Sequence, residues 1–168
     1  MLLKFTLKPI GFVRVSLSDD AVRESIRGVS GIIEILPEYE EALDGIDGFS
    51  HLIVIAYLHK IVFSDRRLKV KPKRLIKLGL SEEEVPMVGV FCTDSPYRPN
   101  PIAVSIVRLL RREGRILYVD NLDLFDGTPI LDIKPYTFSR RVDKIEVPSW
   151  YLSLINKVRS IRPDIVEI

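Results

Sequence analysis

The stretch from Ile102 to Asn121 constrains the fold of this chain more than any other. Two β-rich runs, Ile102 to Arg111 and Arg115 to Asn121, flank Arg112-Glu113-Gly114, a glycine-containing loop of hairpin length. Shorter runs of the same character recur along the chain. Gly31 to Leu36 is β-branched, Phe49 to His59 is almost continuously apolar, and Val88 to Cys92, Ile130 to Ile133 and Lys144 to Val147 add further candidates. The continuous apolar run predicts a strand covered on both faces. Pro9 interrupts Phe5 to Val15 and demotes its middle to an edge or bend.

Helical signals are fewer. Pro37 to Leu43 has room for a turn or two, and Ser149 is placed to cap a helix. On that helix Tyr151, Leu154, Ile155, Val158 and Ile161 share one face, and Pro163 ends it. Many short strands with turn signals between them predict a mainly β chain. The expected fold is a small single-domain β-barrel, residues 1–147, with a few peripheral helices including a short C-terminal helical appendage, residues 148–168. No two glycines stand in G-x-G spacing, so a dinucleotide fingerprint and a Walker A loop are both excluded.

Composition narrows the class. With 168 residues, 46% of them hydrophobic, the chain can bury one core but not two ordinary ones. The lone Cys92 makes no internal disulfide, and no Cys/His cluster has metal spacing, so no metal is expected. No apolar run is long enough to cross a bilayer and no secretory leader is evident, which points to a cytoplasmic protein with no membrane partner. A net charge of +2 is no argument for nucleic acid by itself.

Three segments carry chemistry. In CTDSPYRPNPI, from Cys92 to Ile102, three prolines in six residues stiffen a loop presenting Asp94, Ser95, Arg98 and Asn100. Such a loop is either a rigid connector or a preorganised site. DGTPILDIKPY, from Asp126 to Tyr136, is a turn followed by a short strand with Asp132 and Lys134 on one face. His59 and Lys60 close the apolar run, while His51 is better placed as a hydrogen-bonded core or turn residue. The stretch from Lys60 to Lys77 holds eight basic residues and one acid. Arg66, Arg67, Lys69, Lys71, Lys73 and Arg74 are its candidates for phosphate contact. Arg108, Arg111, Arg112 and Arg115 form a second basic set around the hairpin tip. Few aromatics interleave with either, which argues against a single-strand stacking platform.

Taken together, the run ending in His59, SPYRPNPI at 95–102 and DGTPILDIKPY at 126–136 resemble the TsaA-like family, the tRNA-methyltransferase O group. The resemblance implies a β-barrel homodimer that uses S-adenosylmethionine to methylate N6 of (threonylcarbamoyl)adenosine 37 in tRNA. It implies cofactor contacts from His59, Lys60, Val104, Asp126, Gly127, Thr128 and Pro129. Asp94 and Ser95 join them on the wall that the stiff loop provides. Asn100 is expected to orient the target base, and Arg98 to hold the cofactor carboxylate or a phosphate. Two departures stand out. The family reads T-R-S-P where this chain has Thr93-Asp94-Ser95-Pro96, and its P-R-Q-P segment is absent, with Arg27-Gly28 in a comparable place. The alternatives are a methyltransferase of another substrate and a non-catalytic RNA-binding barrel.

Overall fold

The computed structural model describes residues 5–164; the last four residues of the expected C-terminal appendage lie outside them. In chain order the strands are β1 (Gly11–Arg14), β2 (Val29–Ile35), β3 (His51–Tyr57), β4 (Lys69–Val70), β5 (Val88–Gly89), β6 (Ile102–Glu113), β7 (Ile116–Leu122) and β8 (Pro129–Pro135). The α-helices are α1 (Asp19–Glu24), α2 (Lys73–Lys77) and α3 (Ser149–Ile161). The residues divide into two compact units, one from Met1–Ile61 and Pro101–Arg140, the other from Val62–Asn100 and Arg141–Ile168.

The first unit is a closed antiparallel barrel in the order β1-β2-β7-β6-β3-β8. Alternation explains its filling. Val13, Ile33, Ile35, Leu52, Val54, Ala56, Val107, Leu117, Val119 and Ile130 point inward and are buried. The expected hairpin is present as β6 and β7, and a register shift between Leu109 and Arg111 sets the extra residue, Leu110, out of the ladder. The apolar run around β3 is covered on one face only. Ile53 and Ile55 point outward and are half-buried, because a barrel this narrow has a single interior for side chains to share. Opposite them on β6 stand Ile106 and Val104, and Tyr57 pairs with Ile102. An apolar strip therefore runs along the outside of the barrel, with Val104 67% exposed.

The second unit packs Val70, Leu75, Leu78, Leu80, Val85, Val90, Leu154, Ile155 and Val158 into its interior. The helical face expected at 151–161 is seen in α3, with its outer members Tyr151 and Ile161 only partly covered. Ser149 does not cap this helix. The carbonyl of Pro148 accepts from the N–H groups of Tyr151 and Leu152, so Ser149 is already the first helical residue. Two strand expectations fail. At 88–92 only Val88–Gly89 pairs, with β4; Val90–Cys92 turns into a 3-10 helix because both the N–H and the hydroxyl of Thr93 bond back to the carbonyl of Val90. Lys144 to Val147 forms no strand. Pro37–Leu43 is a 3-10 helix, as its length allowed. The basic stretch is no plain loop, since it contains a 3-10 turn at Phe63–Asp65, then β4 and α2.

Candidate functional site

In an antiparallel barrel, alternate strands begin where their neighbours end. One rim therefore collects the end of β3, the start of β8, and the chain leaving β1 and entering β2. Segments far apart in sequence meet there. The turn Phe125-Asp126-Gly127-Thr128 is closed by the Thr128 N–H on the carbonyl of Phe125 at 3.1 Å, with Gly127 at φ +73°. A left-handed residue in the third position of such a turn calls for glycine. This turn is sewn onto the end of β1. Val13 exchanges backbone bonds with Gly127 and Thr128, and the Val15 N–H donates to Asp126 Oδ1 at 3.1 Å. Thr128 is buried, Pro129 and Gly127 are half-buried, and Asp126 is exposed.

His59 and Lys60 occupy the turn after β3, on the same rim. Lys60 Nζ lies 5.2 Å from the centre of the Phe125 ring and donates to both carboxylate oxygens of Asp19, at 2.7 and 2.6 Å. Arg23 lies over the same ring at 5.4 Å. Both partners come from α1, an element the sequence reading did not assign. Its signal is there in retrospect: Ser18 accepts from the Ala21 N–H, and two acids, Asp19 and Asp20, occupy the first turn. Six residues are too few for a periodicity argument.

Burial and the neighbouring Lys60 charge hold the His59 pKa below its ordinary value, against a partial offset from Asp19 and Asp126. The imidazole is therefore neutral at physiological pH and able to both donate and accept. A depressed pKa means that the folded state binds fewer protons than the unfolded one. Its contribution to stability is present above the unfolded value near 6.5 and is lost as pH falls. Between pH 7.5 and 5.5 the thermal midpoint of His59→Gln is expected to fall less than that of the natural protein. Parallel curves from calorimetry would remove this role.

Val104 sits apart from the rim turns, in the middle of the outer apolar strip. His51 half-covers the start of β3, its Nδ1 2.9 Å from Ser50 Oγ. Asp132 and Lys134 form the expected pair on β8, 2.6 Å apart. An open cavity of about 390 Å³ beside β1 and β2 takes in Asp126 with Arg14, Ser16 and Ser30; His59 and Lys60 do not line it. A second, of about 360 Å³, opens at the opposite rim between Tyr39, Leu43, Phe49 and Ile133.

The stiff loop belongs to the second unit. Ser95 donates its N–H to Thr93 Oγ1, and its own hydroxyl accepts from the Tyr97 N–H. Arg98 Nη1 donates to the carbonyls of Thr93 and Ser95, at 2.6 and 3.4 Å, which closes the loop on itself. Asp94 and Asn100 are exposed, and the Asn100 amide makes no side-chain hydrogen bond among the described residues.

The basic residues differ in what holds them. Lys71 Nζ donates to the carbonyl of Glu82 at 2.7 Å, and Arg67 Nη1 donates to the carbonyls of Ser64 and Arg66. Lys69, Lys73 and Arg74 are exposed, and Arg66 is half-buried. Three of the four arginines of the second basic set have acidic neighbours, and Arg108 has no ion pair among the described residues. Arg115 binds Glu34, Arg111 pairs with Glu113, and Arg112 faces Asp44 and Asp47 while donating to the carbonyl of Leu43. Glu34 from β2, Glu113 from β6 itself and Asp44 and Asp47 from the 44–47 turn are the acids that face them. No group of three or more His, Cys, Asp or Glu could hold a metal, and no helix is long and apolar enough to cross a membrane, among the described residues.

The profile of the tRNA-methyltransferase O N-terminal domain matches residues 22–143. A probable S-adenosyl-L-methionine-binding protein of Pyrococcus abyssi is 36% identical over 161 residues, covering 94% of this chain and 82% of its own length. The tRNA (adenine(37)-N6)-methyltransferase of Mus musculus is 39% identical over 97 residues, covering 58% of this chain and 21% of the mouse protein. The crystal structure of TrmO from Pseudomonas aeruginosa superposes with a TM-score of 0.63 at 29% identity, over 86% of this chain and 62% of that one. The chain thus spans most of the archaeal relative but less than two thirds of the solved protein.

Proposed function

The chain belongs to the tRNA-methyltransferase O family, and on that premise we propose that it binds S-adenosylmethionine and methylates N6 of adenosine 37 in tRNA, in its threonylcarbamoyl form. The observation that carries the reading is the contact of Lys60 with Phe125, which joins the His59-Lys60 turn to Asp126-Gly127-Thr128-Pro129 on one rim.

The residues present suit the cofactor's chemistry. An aromatic face that already attracts two cations, the exposed Asp126 carboxylate with one oxygen held by the Val15 N–H, and a neutral imidazole match a ligand with a sulfonium, an ammonium and an adenine. His59, Lys60, Asp126, Gly127, Thr128 and Pro129 would hold it on the barrel rim. When bound, it supplies an electrophilic methyl group on a sulfonium. The protein's task is mainly to place that methyl group and N6 in line.

N6 is a poor nucleophile because its lone pair is delocalised into the ring. Asn100 offers an unengaged side-chain oxygen that accepts from the N6 amino group and draws the lone pair toward the donor. Loss of one neutral hydrogen bond is worth up to about tenfold. Asn100→Ala is therefore expected to lower single-turnover methylation by about that factor while leaving cofactor binding intact. Full turnover in the variant would remove the role. Arg98 is given over in part to closing the loop, so only its remaining nitrogens are available for a carboxylate or phosphate.

The assembly is a cytoplasmic homodimer. The support is the outer strip of Ile102, Val104 and Ile106 on β6 against Ile53, Ile55 and Tyr57 on β3, a contiguous apolar surface with few charges. Tritium transfer from labelled cofactor to bulk tRNA, compared with transfer to cell metabolites, tests the substrate class.

A further inference from the structure

We propose that Phe91 and the guanidinium of Arg98 form a stacking site for an unpaired base of the RNA substrate, with Arg67 and Lys69 meeting the adjoining phosphates. The inference rests on the tRNA reading above and names where that RNA is held on the second unit.

Phe91 is 75% exposed although its neighbour Val90 is fully buried. The backbone fixes this. Val90 anchors the 3-10 turn Val90–Cys92, and the two bonds from Thr93 to the Val90 carbonyl close it, so the next side chain is driven outward. Arg98 stands over the ring, its guanidinium carbon 5.9 Å from the centre. The same guanidinium donates to the carbonyls of Thr93 and Ser95, and Pro96 and Pro99 stiffen the backbone around it. The ring and the planar cation are therefore both positioned before any ligand arrives, which lowers the ordering cost of binding.

The basic stretch is hydrogen-bonded to this feature at two points. The Arg67 N–H donates to the carbonyl of Tyr97 at 2.9 Å, and the Val90 N–H donates to the carbonyl of Leu68 at 3.0 Å. Lys69 lies opposite Gly89 in the β4–β5 pair. Lys69 has no ion-pair partner among the described residues, and Arg67 uses its guanidinium only on carbonyls. From Arg66 to Ser81 there is no acid at all. Leu68, whose carbonyl takes the Val90 N–H, is itself 76% exposed.

Exposed aromatic, planar cation and unneutralised positive charge form the combination that a stacked base with flanking phosphates satisfies. A protein partner would be served by the apolar part alone and would leave the cations without a role. Sequence spacing pointed away from this site because Phe91 is more than twenty residues from Arg67; β4, β5 and the stiff loop bring them together.

The test uses the full chain, bulk tRNA, and the variants Phe91→Ala, Phe91→Trp and Lys69→Ala. Phe91→Ala is expected to weaken tRNA binding by about 5- to 150-fold, the range for one stacked base. Phe91→Trp should restore it, and the slope of affinity against salt should stay the same in both. Lys69→Ala should instead make that slope shallower by about one ion. Thermal midpoint and sedimentation should match the natural protein throughout. Unchanged tRNA affinity in Phe91→Ala overturns the stacking site alone. So does a change of oligomeric state in that variant with affinity intact, which would mark a protein contact. A natural protein that binds no tRNA overturns the substrate reading, and this site with it.

Discussion

Saturating S-adenosylmethionine is expected to raise the thermal midpoint of this protein by roughly 5–10 °C. A ligand at 100 times its dissociation constant stabilises the folded state by about 2.7 kcal/mol, and each kcal/mol moves the midpoint by about 2–4 °C in a chain of this size. The expectation follows from the preformed rim, where Asp19 fixes Lys60 and the 125–128 turn is sewn to β1 before any ligand is present. Asp94, which stands where the family has arginine, is the counterweight. It is exposed on the stiff loop and reverses the local charge. Calorimetry on the natural protein and on Asp94→Arg separates the two effects. No shift at millimolar cofactor, with a shift restored by Asp94→Arg, would mean that the barrel persists and its cofactor chemistry has been lost.

The second large effect is structural. Gly28→Ala is expected to cost about 2–5 kcal/mol, lowering the midpoint by roughly 4–20 °C. Gly28 adopts φ +80°, and a Cβ there would lie 2.5 Å from the backbone carbon of Asn121 and 2.8 Å from its oxygen. Neither atom can move without opening the β2–β7 pairing, which already shifts register between Val29 and Gly31. Gly45→Ala is the control. Its φ is +82° but nothing lies within 4 Å, so it pays only the conformational part, about 1–2 kcal/mol. Equal losses in the two variants would show that the close approach at Asn121 is without consequence. Gly28 also explains the Arg27-Gly28 pair structurally, since glycine is needed where the chain enters β2 against β7.

Much of the site was legible along the chain because its parts are local. Three prolines make a stiff loop wherever they are placed, and Asp126-Gly127 makes a turn. The 102–121 hairpin and the inward alternation of the strands follow from side-chain periodicity alone. What local reading lacked was partners. Arg111, Arg112 and Arg115 look like a phosphate patch until Glu113, Asp44, Asp47 and Glu34 are seen beside them. Lys60 looks free until α1 brings Asp19 to it. Phe91 looks isolated until β4 and β5 pair.

The amino-acid sequence by itself determined that this chain is mainly β, which segments are rigid and which residue types they present, since each depends on torsions and periodicities within a few residues. Only the tertiary structure decided which charges remain unneutralised, which apolar side chains stay in water, and which motifs share a rim. Those properties depend on long-range pairing, in the β4–β5 ladder and in the barrel, whose closure sets Val15 and Asp126, 111 positions apart, within hydrogen-bonding distance.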